Sequence, residues 1–100
     1  MAQPIYKLWQ GRLTEAWHRL PEQEQLQLLG KVQEAMTTVG GKPLAICDAA
    51  WSNEQWPFFG LEEFPDLEAV QRHRQILTDL NWERYMESRS TLGTEFLLPG

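Results

Sequence analysis

Cysteine is almost missing from this chain. Cys47 is the single one in 100 residues, so no internal disulfide can form, and a reducing, cytoplasmic compartment of bacterial type is the expected location. No apolar run approaches the roughly 20 residues that span a bilayer. The start, Met1 to Lys7, has neither the basic opening nor the uninterrupted apolar stretch of a secretory leader. Positive charge is scarce too: nine Lys and Arg stand against fourteen Asp and Glu, a net charge of −5. Most of such a surface would repel a phosphate backbone, so nucleic acid is not expected as a partner, nor is a membrane. The one basic cluster, Arg72-His73-Arg74, lies in a helical pattern between Glu68 and Asp79 and reads as a solvated face. Missing as well are a Gly-rich phosphate loop, a paired-Cys motif, HExxH and Gly-x-Ser-x-Gly. The two histidines have no third ligand at metal-binding spacing, so neither a metal nor a cofactor is expected.

What remains is ordinary globular material with an excess of tryptophan. The chain is 42% hydrophobic and 23% charged, which argues against disorder, and its length suits one domain over residues 1–100. Five Trp residues, each able to bury roughly 150–250 Å², must fill a core, an interface or a ligand pocket.

Period-two and period-3.6 patterns divide the chain into six main elements. Ile5 to Leu13 is rich in β formers and carries apolar weight on both faces, Ile5, Lys7 and Trp9 on one and Tyr6 and Leu8 on the other. A short helical piece, Thr14 to Leu20, holds Trp17 and His18. Pro21 is placed as the first residue of a main helix, with Leu26, Leu29, Val32, Met36 and Val39 as its apolar stripe and Gly40-Gly41 as its stop. A second strand runs from Pro43 to about Trp51. Ser52 to Gln55 supply a turn, and Trp56 to Phe64 form a third strand, the two making a hairpin. Asp66 caps a second helix whose stripe is Leu67, Val70, His73 or Arg74, Leu77 and Leu80; Asn81 weakens it before Trp82 to Glu87. Thr91 to Leu98 alternates like a last strand. Strand, helix, hairpin, helix, strand is the split βαβ plan, an α+β fold with a four-stranded antiparallel sheet and two helices on one face. Strands apolar on both sides would leave the other sheet face as a large exposed patch, so a homodimer through that face is expected.

The order of elements, the length, and the stretch from Phe58-Phe59-Gly60-Leu61-Glu62-Glu63-Phe64 through Pro65-Asp66-Leu67-Glu68-Ala69-Val70 resemble the ferredoxin-like, dimeric α+β barrel superfamily, most of all its small uncharacterised bacterial families. In its members an aromatic third strand runs into a capped helix, and Trp82 and Tyr85 are similar to aromatic residues near that helix's end. The resemblance implies a pocket between the second helix and the sheet, with the opposite sheet face making the dimer. The small haem-degrading members use an Asn on the first strand and a Trp followed by a His on the second helix. Here the first strand has no Asn and His73 precedes Trp82. The quinone-forming monooxygenases place Asn, Trp and Tyr around their substrate, residue types that Asn81, Trp82 and Tyr85 offer.

His73, near the inner stripe of the second helix, could act as a base or could be a boundary histidine. Asp48 and Glu62 stand on apolar strands, where a carboxylate facing a closed cavity would have a raised pKa; either could instead face water. Tyr6, Trp9, Phe58 and Trp82 could line an aromatic pocket or fill core and interface. Three readings follow. The first is a dimeric module that binds a small apolar or aromatic molecule between helices and sheet. The second is a cofactor-independent monooxygenase or isomerase acting on an aromatic substrate, with His73, Tyr85 and Asp48 as catalytic candidates and Trp82 tested with them, while Glu62 is counted among the ligand-binding candidates. The third is a purely structural partner protein, against which a cavity of about 300 Å³ or more would count.

Overall fold

The first strand forms where the β formers cluster: β1 spans Ile5–Leu13. In the computed structural model, which describes residues 3–99, it is followed by α1 (Glu15–His18), α2 (Glu22–Thr38), β2 (Lys42–Asp48), β3 (Phe58–Phe64), α3 (Leu67–Asp79), a 3-10 turn (Trp82–Arg84) and β4 (Met86–Gly93). Met1 and Ala2, the start of the segment read above for a leader, and Gly100 lie outside the described residues. The strands make one four-stranded antiparallel sheet in the order β2-β3-β1-β4. Among the described residues no helix is long and apolar enough to cross a membrane.

Register divides the sheet into two faces, because directly paired residues point the same way and alternate along each strand. Ile5↔Phe64, Lys7↔Glu62 and Trp9↔Gly60 share one face, joined by Ser88 and Ser90 of β4 through Gly11↔Ser88 and Trp9↔Ser90. This is the helix face. Met36 and Val39 from the end of α2 and Ala69 from α3 pack there around Phe64, with Ile5, Val70 and Ile76 against them. The other face carries Tyr6, Leu8 and Gln10 opposite Glu63, Leu61 and Phe59.

Local chemistry sets the boundaries. Gly40 takes φ 75°, which lets its N–H donate to Thr37 O (3.1 Å) and the Gly41 N–H to Met36 O (3.0 Å), closing α2 with a left-handed turn. Asp66 Oδ1 accepts from the Ala69 N–H at 2.8 Å and starts α3. Asn81, at φ 58°, breaks the chain from α3 into the 3-10 turn.

Several sequence expectations shift. Pro21 is the residue before α2, with an extended ψ of 147°, not its first helical residue. β2 stops at Asp48 because that carboxylate turns back to accept from the Ala50 N–H (2.9 Å). β3 starts at Phe58 rather than Trp56: Pro57 has no N–H to give a ladder, and the Trp56 N–H donates to Asn53 Oδ1 (2.9 Å) in the loop. The largest correction is β4. It runs Met86–Gly93, not Thr91 to Leu98, since its partner β1 pairs from Leu13↔Met86 to Tyr6↔Gly93 and then ends. Among the described residues, 94–99 pair with no strand. Leu26 and Leu67, both assigned to buried stripes, are 63% and 51% exposed. The buried residues of α2 come only from its last turns, and the inner face of α3 is carried by Ala69 and His73.

Candidate functional site

The helix face changes character along β1. At Ile5 it is core, and two residues on it becomes polar, with Lys7 opposite Glu62 on the two central strands. No ion pair within 4 Å joins them among the described residues. Burial lowers the Lys7 pKa; Glu62 works against that shift and Arg74 adds to it. Burial likewise raises the Glu62 pKa, with Lys7 opposing. Two residues further, the Trp9 indole lies flat over Gly60, where a Cβ would stand 2.6 Å from Nε1. Glycine at position 60 is therefore what admits the ring. The Trp9 Nε1 is buried there without a partner.

His73 approaches the same region from α3. It is 4% exposed, its ring sits 5.3 Å from that of Phe64, and its Nδ1 has no hydrogen-bond partner. Burial first, and the Lys7 charge second, push its pKa down from 6.5 to about 4. The imidazole is neutral at pH 7 in the folded chain. The linkage has a definite sign: the stability that a depressed histidine contributes is complete above pH 6.5 and is lost as pH falls towards 4, because only the unfolded chain protonates in that window. At ~1.4 kcal/mol per pKa unit, discounted for solvent screening, the loss is about 2 kcal/mol. Thermal melts of the wild type should show this acid limb between pH 6.5 and 4, and melts of His73→Leu should show less of it; identical limbs would refute the assignment.

Beside Lys7 opens a cleft of about 590 Å³. α3 contributes Arg74 and Leu77, the 3-10 turn Trp82 and Glu83, and β4 the run from Met86 to Ser90, with Trp56 reaching in from the β2–β3 loop. Trp82 is braced edge-on against the buried Trp17, with ring centroids 5.9 Å apart at 86°. The guanidinium carbons of Arg12 and Arg89 stand 5.4 and 5.3 Å from the Trp56 ring centre. The lining therefore combines flat aromatic and apolar walls, serine hydroxyls and charges of both signs.

The comparisons with known proteins support the architecture and nothing narrower. A crystal structure of the methylated RPA0582 protein matches with a TM-score of 0.63 at 18% sequence identity, covering 100% of this chain and 85% of that one. The chain is similar to that protein in fold. No family model matches it, and no curated protein does. At that identity the likeness shows a small α+β fold with a four-stranded antiparallel sheet and two long helices.

Of the eight residues singled out from sequence, Trp82 alone lines the cleft. Glu62 and His73 lie next to it through Lys7. Trp9 belongs to the same sheet face but is spread over Gly60 instead of facing the cleft. Phe58 is half-buried at the start of β3, opposite Gly11. Tyr6 lies on the opposite face, as the strand alternation had it, and its hydroxyl donates to Glu63 Oε1 at 3.2 Å. Asp48 is exposed at the end of an edge strand, engaged with the Ala50 N–H. Tyr85 is half-buried between the 3-10 turn and β4, its carbonyl accepting from the Thr14 N–H. The three catalytic candidates His73, Tyr85 and Asp48 thus occupy three separate places. Sequence reasoning passed over Lys7, Trp56, Arg74 and Met86, which line the cleft. A lysine between Ile5 and Trp9 on the inner face of a central strand was the available signal; Ser88 and Ser90 were hidden by the misplaced β4.

Proposed function

We propose that this chain is a ferredoxin-like, dimeric α+β barrel protein that binds a small apolar or aromatic molecule in the cleft between α3 and the sheet. The observation that carries the reading is the cleft itself. At about 590 Å³ it falls in the range of small-molecule sites, and Trp56, Leu77, Trp82 and Met86 give it walls suited to a planar apolar body. That volume favours a binder over a purely structural partner protein. A binder is also favoured over a monooxygenase or isomerase, because His73, Tyr85 and Asp48 do not converge on one point.

The homodimer is the second half of the proposal. On the face away from the helices, Leu8, Leu61 and Ala45 form a row across three strands, with Phe59 and Cys47 in the next row. Polar pairs border this apolar patch: Tyr6 with Glu63 on one side, and Gln10 with Arg89 and Arg12 with Glu87 on the other. An apolar centre within a polar rim is how protein interfaces are organised.

Naphthalene-2-carboxamide, a neutral bicyclic probe, tests the cleft. Titrated into the intact protein, it should quench tryptophan fluorescence saturably and raise the melting temperature. Ser90→Trp, at an exposed edge-strand position on the cleft wall, should fill the space and weaken binding at least tenfold. Non-saturable quenching without thermal stabilisation would overturn the reading.

A further inference from the structure

Within the cleft, charges of opposite sign differ in how far they are already engaged. Both acidic residues of the lining have partners: Glu87 is ion-paired with Arg12 at 2.6 Å, and Glu83 Oε1 accepts from the Thr78 hydroxyl at 3.1 Å. Arg89 is held by Gln10, its Nε donating to Gln10 Oε1 at 2.7 Å. The two remaining cations, Lys7 and Arg74, make no side-chain hydrogen bond and no ion pair within 4 Å among the described residues. Both line the cleft, and Arg74 is close enough to disfavour the Lys7 charge. Two unengaged cations have thus been brought together on a chain of net charge −5, with Glu62 across the ladder from Lys7 but not ion-paired to it. Like charges held together and partly desolvated are costly unless an anion joins them. Leu77 lies one turn beyond Arg74 on α3, and Trp82 and Met86 line the same cleft.

We infer that the natural ligand is an aromatic acid: its carboxylate is held by Lys7 and Arg74, and its ring lies against Leu77, Trp82 and Met86. This rests on the cleft being the ligand site and adds the charge and orientation of what it takes. A carboxylate suits the pair because guanidinium and ammonium donors both form charge-assisted bonds to its two oxygens. Ser88 and Ser90 add hydroxyl donors on the β4 wall. Of the two acidic residues in the lining, Glu87 already has its charge paired by Arg12.

The test compares 2-naphthoate with naphthalene-2-carboxamide, which has the same ring and nearly the same shape without the charge, by isothermal titration of the intact protein at low and at moderate ionic strength. The acid should bind at least tenfold more tightly than the amide, and only its affinity should fall with added salt. Arg74→Met, at an exposed position on α3, and Lys7→Met should each bring the ratio of acid to amide affinity down towards one; Lys7→Arg should restore part of the preference. If Lys7→Met does not fold, Arg74→Met decides alone. Equal binding of acid and amide, or an acid preference that survives Arg74→Met, overturns the inference while the aromatic cleft stands. Binding of neither probe overturns both.

Discussion

Phe64→Ala should cost about 3–5 kcal/mol of folding free energy, the range for deleting a fully enclosed aromatic ring. Phe64 has no solvent exposure. It is the point where the sheet meets both long helices, with Met36 and Val39 from α2 on one side and Ala69 from α3 on the other, all clustered with Ile5 of the neighbouring strand. Truncation removes contacts with three other elements at once, and the cavity cannot close without moving a helix, because Gly41 and the Met36 side chain are already packed against the ring. A domain of this size has about 5–15 kcal/mol in all, so the variant should lie near the edge of folding. Phe64→Leu keeps most of the volume and should cost less than about 1.5 kcal/mol. Urea melts at fixed protein concentration check both. The ring also stands 5.3 Å from His73, so a folded Phe64→Ala chain should show the His73 pKa moving up from about 4 towards its ordinary value as water reaches the imidazole. A loss under 1 kcal/mol would mean that the core is not centred on Phe64.

The residues that were easiest to read were those whose role is settled within a few neighbours. Gly40-Gly41 stops α2 because the first glycine takes a positive φ, and Asp66 starts α3 because its carboxylate reaches a backbone N–H three residues on. Both are local events, and local chemistry names them. β4 was misread for the opposite reason. Leu92, Thr94, Phe96 and Leu98 alternate as well as any strand, yet where β4 lies depends on where β1 begins and ends, some eighty residues earlier. The exposed Leu26 of α2 shows the same limit: spacing identifies a helical stripe but not how far along the helix the sheet reaches. The cleft inherits both difficulties. Its walls come from the misplaced strand, from a loop tryptophan and from a lysine that period-two alternation records only as one more inward position.

Phe59→Glu together with Leu8→Glu should convert the proposed dimer into a monomer. Phe59 and Leu8 are 39% and 50% exposed in the single chain and stand on neighbouring strands of the face that the helices leave bare. Pairing two such faces would bury on the order of 1,600 Å², with these side chains near its centre, where truncations and charges cost most. In a two-fold arrangement each substitution is present twice, so four carboxylates would enter an apolar contact that supplies no counter-charge beyond its rim. A penalty of at least about 2.7 kcal/mol, a hundredfold in dissociation constant, is expected. Native mass spectrometry at micromolar concentration should record two chains of 11.7 kDa for the wild type and one for the variant. Glu substitutions at Gln27 and Gln33, exposed positions on α2 and not on that sheet face, control for added charge and should leave the dimer intact. Leu8 and Phe59 are not among the residues that line the cleft, so a monomeric variant that still binds 2-naphthoate would separate the two roles of the sheet. A wild-type chain that runs as a monomer would remove the barrel from the proposal and leave the cleft to be judged by its ligand alone.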